Sequence, residues 1–132
     1  MTLHYTNQQA FDKVVTHLVA QGRQSMDGSL GCRYKGPDGM KCAVGCLLPN
    51  TWRPEEGLSW LDLCDNNKNY EDLANVGLLQ NLQEAHDTKL DYNAPTWRVQ
   101  WVDRMRKVAK TYKLSTKLLT KLATKKWQSV DL

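Results

Sequence analysis

The chain has 132 residues, of which 41% are hydrophobic and 24% charged, and its formal net charge is +4. Those values suit one soluble globular domain over residues 1–132 and exclude a disordered, collagen-like or coiled-coil chain. Five Trp, five Tyr and one Phe supply bulky groups that close a core.

Residues 1–7 lack the basic start and apolar run of a signal peptide, and Asp12 and Lys13 interrupt the next stretch, so no such leader is expected. The longest apolar run, residues 42–48, is broken by Gly45 and closed by Pro49. A bilayer span needs about 20 apolar residues, so no membrane contact of that kind is expected. Four cysteines are too few for a disulfide-stapled secreted scaffold. Reduced thiols in a cytoplasm are the expectation.

Thr6 and Gln9 have the spacing of a capping box, and Phe11, Val14, Val15, Leu18 and Val19 recur behind it at helical intervals. This predicts a first helix over Asn7–Gln21, ended by Gly22. A loop follows through Asp27-Gly28. Gly36-Pro37-Asp38-Gly39 then carries turn chemistry between two short arms, which predicts a small β-hairpin. Residues 43–48 read as one or two helical turns stopped by Pro49, and Pro54 with Glu55 and Glu56 suits another start.

Ser59 can cap a short helix through Cys64. Asn69 with Asp72 opens a pattern running through Leu73, Leu78, Leu79, Leu82 and His86, which Gly77 can split. Ala94-Pro95-Thr96 opens the longest predicted helix, with Trp97, Trp101, Met105, Val108 and Tyr112 on one stripe. Ser115 can cap a last helix that turns Leu118, Leu119, Leu122 and Trp127 inward. The fold class is mainly α, a compact bundle of about five helices with one small β-hairpin and no repeat of fixed period.

Charge divides unevenly along the chain. Residues 97–132 carry a net +8 and residues 1–96 a net −4. A cationic end of this kind faces either an anionic partner or the acidic part of its own fold. Arg104, Lys107, Lys110, Lys117, Lys121, Lys125 and Lys126 are the candidate binding residues.

The last two helices fit a helix-turn-helix pattern, with Ala109 at a close-packing position, Lys113-Leu114 at the turn, and Leu119 and Leu122 packing back. Lys117, Lys121, Lys125 and Lys126 then point towards phosphates. The outer face lacks the Arg, Asn and Gln that read bases, and the turn has Lys113 in place of Gly, so any such binding is weakly sequence-specific. An ordinary helical hairpin has the same periodicity.

Cys32, Cys42, Cys46 and Cys64 with His86 supply donors that zinc accepts, but the C-x9-C-x3-C spacing is not a paired knuckle. No metal or cofactor is expected. Cys42 after a Gly-rich turn, with Lys41 beside it and His86 as base, gives a drawable nucleophile site. The competing readings are a core cysteine and a core histidine on the Leu79 and Leu82 stripe. Arg33, Lys35 and Lys41 flank the turn but lack the P-loop spacing, which leaves a solvated hairpin with basic flanks. Of the five tryptophans, three or four are expected in the core and one is a candidate anchor for a partner.

The run from Gly31 through Cys32-Arg33-Tyr34-Lys35-Gly36-Pro37-Asp38-Gly39-Met40-Lys41-Cys42-Ala43-Val44-Gly45-Cys46-Leu47-Leu48 to Pro49 resembles a segment of small bacteriophage and prophage proteins. Gln21-Gly22-Arg23-Gln24-Ser25 and the later Leu82-Gln83-x-x-His86-Asp87 resemble it too. The likeness covers roughly residues 11–87, weakens after Pro49 and omits the basic end. That family has no established activity, so no residue role is carried over. What the resemblance implies is a phage context.

The expectation is a phage-encoded accessory protein without catalysis. It would bind and modulate or inhibit a host macromolecule in the host cytoplasm, in host takeover or anti-defence. A host protein is the first partner expected. Nucleic acid bound by the basic helical hairpin is the alternative, and a cysteine-dependent enzyme the weaker one.

Overall fold

The computed structural model describes residues 4–22, 34–35, 41–49, 51–52, 54–56, 58–87 and 97–126, without the side chains of His86, Asp87 and Lys126. Among the described residues there are six α-helices and one 3-10 turn, and the chain is mainly helical.

Helix α1 is Asn7–Gln21. Its start is the capping box: Thr6 Oγ1 accepts from the Gln9 amide at 3.1 Å, and Gln9 Oε1 accepts from the Thr6 amide at 3.0 Å. It ends at Gly22, whose φ of 73° is left-handed and whose N–H donates to the Leu18 carbonyl. Between them Ala10, Phe11, Val14, Val15, Leu18 and Val19 are buried, the stripe that the helical period requires.

Among the described residues the expected hairpin is reduced to one antiparallel bridge, between Lys35 and Lys41, and its turn lies outside them. Side chains from elsewhere in the fold bind amides of both arms. The Tyr34 and Lys35 amides donate to the Glu56 carboxylate at 2.7 and 3.3 Å, and the Lys41 amide donates to Gln21 Oε1 at 2.8 Å. The basic flank is not simply solvated either: Lys35 Nζ donates to the Pro49 and Trp52 carbonyls at 3.0 and 2.5 Å.

The apolar run beyond is a 3-10 turn, Gly45–Leu47, buried throughout. Gly45 has no room for a side chain, because a Cβ there would overlap the Tyr34 carbonyl oxygen. Gln83 braces the same turn, its Oε1 accepting from the Val44 amide at 3.0 Å.

Helix α2 is Trp60–Asn66, capped by Ser59 Oγ on the Asp62 amide at 3.1 Å. A four-residue helix α3, Lys68–Glu71, follows at once, capped by Asn67. Helix α4 is Val76–Asp87. The break between α3 and α4 falls before Gly77, because Asn75 Oδ1 accepts from the Leu78 amide at 2.9 Å and starts the helix there. Helix α5, Trp97–Tyr112, is the longest, and helix α6 is Lys117–Lys126.

Packing sets α6 against α1 and α5 against α4, with α4 also touching α1 and α2. One hydrophobic cluster joins these elements, and Phe11, Trp60, Leu82, Trp101, Met105 and Leu119 are among its fully buried members. Trp60, Trp97 and Trp101 are core, and Trp52 is half-buried edge-on to Tyr70, with ring centroids 5.1 Å apart. Trp127 lies outside the described residues. No described helix is long and apolar enough to cross a membrane.

Candidate binding face on the last two helices

Helix α5 ends in a two-bond reversal. The Leu114 amide donates to the Ala109 carbonyl at 2.8 Å and the Lys113 amide to the Lys110 carbonyl at 3.3 Å, with Lys113 left-handed at φ 57°. This is a Schellman ending with lysine where glycine is the usual choice. Ala109 is fully buried, as close packing at that position requires. Ser115 Oγ then accepts from the Lys117 amide at 3.3 Å, and α6 begins.

Two features fasten α6 to the bundle. Leu119 and Ala123 are fully buried, and full burial of a leucine contributes about 2 kcal/mol. Gln8 of α1 clasps the connecting turn: its Nε2 donates to the Ser115 carbonyl at 3.1 Å and its Oε1 accepts from the Ser115 amide at 2.8 Å. Neither uses a lysine.

Lys117, Lys121 and Lys125 of α6 are therefore left for solvent. Lys117, Lys121 and Lys125 are exposed and recur every four residues, which places them about 6 Å apart along the axis. Lys107 and Lys110 are exposed on α5. Among the described residues no ion pair joins Lys110, Lys117, Lys121 or Lys125 to a carboxylate. Lys107 pairs with Asp103 of its own helix at 3.1 Å, with the two side chains 76% and 62% exposed. Such an exposed pair is worth a few tenths of a kcal/mol and barely reduces the local potential.

Two arginines of α5, one of them predicted, have structural partners. Arg104 is half-buried, and its Nη1 donates to the Ala85 carbonyl in the last turn of α4 at 3.4 Å. A guanidinium there complements the negative end of that helix. Arg106, which sequence reading passed over, reaches Thr120 Oγ1 from Nη2 at 3.5 Å and links α5 to α6. The side chain of Lys126 lies outside the described residues. The face thus gathers Lys107, Lys110, Lys117, Lys121 and Lys125, while Arg104 belongs to a groove beside it.

That groove, of about 610 Å³, runs between α4 and α5, with Ala85 and Val108 below and Asn81, Glu84, Arg104 and Lys107 around it. Asn81 Nδ2 also donates to Tyr112 Oη at 3.2 Å, which ties α4 to α5. Asn81 and Glu84 were not legible as site residues, because only the pairing of α4 with α5 brings them beside Arg104.

The cysteines occupy a different part of the fold. Cys42, Cys46 and Cys64 are reduced thiols, all buried. The Gly45 amide donates to Cys42 Sγ at 3.4 Å, and Cys46 Sγ donates to the Ala43 carbonyl at 3.1 Å. Burial pushes the Cys46 and Cys64 thiols up to about 12. Cys32 and the His86 side chain lie outside the described residues. Among the described residues no group of three or more His, Cys, Asp or Glu is placed to hold a metal ion.

Comparison with protein-family models, with curated proteins and with solved structures finds no match to this chain.

Proposed function

We propose that this protein is a stoichiometric binding module, encoded by a phage, that engages a host macromolecule through the cationic face of α5 and α6 and performs no reaction itself. The observation that carries this reading is the set of exposed lysines, Lys110, Lys117, Lys121 and Lys125, with no carboxylate partner among the described residues. Holding like charges on one side of a fold costs stability, and an anionic surface laid against them removes that cost. The phage context comes from the sequence resemblance, and a role in host takeover or anti-defence accords with it. The first partner expected is an acidic host protein met in the cytoplasm.

Affinity capture from a bacterial lysate tests the proposal. Wild-type protein should retain one partner in stoichiometric amount after nuclease treatment, and a Lys117→Glu, Lys121→Glu, Lys125→Glu variant should lose it. Equal retention by the variant removes the face from the account.

The regular spacing of Lys117, Lys121 and Lys125 favours a second reading, contact with a nucleic-acid backbone. Three phosphate contacts give a salt-dependence slope that flattens by about 2.7 when all three lysines become glutamine. Nuclease-sensitive capture with that change in slope would favour this reading over the first.

A further inference from the structure

A second cationic site lies on the opposite, acidic part of the sequence. A cleft of about 360 Å³ is lined by Tyr5, Lys13, Lys41, Cys46, Leu47, Leu48 and Pro49. Backbone bonds from outside the cleft hold two of its polar residues, Tyr5 and Lys41. The Tyr5 amide donates to the Leu73 carbonyl at 3.0 Å, which fixes the segment that carries the phenol. Lys13 stands on the exposed side of α1, and its Nζ donates to Tyr5 Oη at 3.0 Å while lying 5.3 Å from the centre of the ring. Lys41 is fastened through its backbone, its amide to Gln21 and its carbonyl 3.2 Å from His17 Nε2.

Two lysines thus face one cleft. Lys13 and Lys41 line the cleft together with Cys46, and both act electrostatically on its thiol. Among the described residues no carboxylate lines the cleft and neither lysine forms an ion pair. Tyr5 Oη accepts from Lys13, which leaves its own O–H free to donate. The donor set is therefore two cations and one hydroxyl, with Leu47, Leu48 and Pro49 as an apolar wall. Charge-assisted donors at this density match a compact dianion, and the volume lies at the small end for ligand pockets.

We propose that this cleft is a phosphate site, filled by inorganic phosphate or by the phosphate of a small monoester whose organic part lies on Leu48 and Pro49. The site is separate from the α5–α6 face and does not depend on what that face binds.

Amide NMR with calorimetry tests it at constant ionic strength, with inorganic phosphate, phenyl phosphate and chloride as the added ions. Saturable shifts at residues 41 and 46–48 are expected with phosphate and not with chloride. Lys13→Gln and Lys41→Gln should each weaken binding about tenfold, and Tyr5→Phe should weaken it less. Lys68→Gln, which removes an exposed lysine of α3, should leave it unchanged. Tighter binding of phenyl phosphate identifies the monoester, and equal binding identifies free phosphate. Chloride giving the same shifts, or the Lys13 and Lys41 variants binding as tightly as wild type while folded, overturns the proposal.

Discussion

Lys113 tests whether the α5–α6 connection is built as described. A residue with a side chain held at φ 57° pays about 1–2 kcal/mol for the contact between its Cβ and the following carbonyl. Glycine removes that cost but gains freedom in the unfolded chain worth about 0.4–1 kcal/mol. The net expectation for Lys113→Gly is a gain of about 1 kcal/mol, which for a chain of this length is a rise in Tm of about 3–5 °C. Lys113→Ala is the control. It removes the same exposed charge and the same long side chain, yet keeps the Cβ and its strain. Urea unfolding of the three proteins, followed by circular dichroism, measures the difference. A glycine variant no more stable than the alanine variant would refute the left-handed reversal at Lys113.

Two further predictions concern the buried 3-10 turn. Gly45→Ala should destabilise the fold by about 3 kcal/mol, since the new methyl meets the Tyr34 backbone and not the end of a flexible side chain; urea unfolding reads it directly. Cys46 should make stability fall at alkaline pH. Its thiol is held near 12 in the fold against an ordinary 9.0, so its contribution is whole below pH 9 and lost as pH rises towards 12. The urea midpoint of wild type should therefore drop more steeply across that window than that of Cys46→Ala, and parallel curves would contradict the burial of this thiol.

The sequence made some of these features legible because their causes are local. A capping box is four residues long, and the Thr6–Gln9 pair marks the start of α1 without help from the rest of the fold. The amphipathic stripe of α6 likewise puts Leu119 inward and Lys117, Lys121 and Lys125 outward. Where the sequence misled, a distant side chain had intervened. Turn chemistry at residues 36–39 pointed to a hairpin, but among the described residues its arms meet in one bridge, Lys35 to Lys41, and Glu56 and Gln21 bind their amides from outside. The apolar stripe from Leu73 to Leu82 continues through a break that Asn75 makes by capping α4. Arg104 reads as one more surface cation until α4 supplies the Ala85 carbonyl. The convergence of Tyr5, Lys13 and Lys41 is likewise a product of tertiary packing, invisible in residues so far apart in the chain.

The most direct measurement is the rate at which each lysine is acetylated, read by mass spectrometry on the isolated protein and again in host lysate. In isolation Lys110, Lys117, Lys121 and Lys125 should label at the rate of unhindered amines, and in lysate Lys117, Lys121 and Lys125 should become protected together. Slow labelling in isolation, or rates that lysate leaves unchanged, would contradict a face held open for a partner.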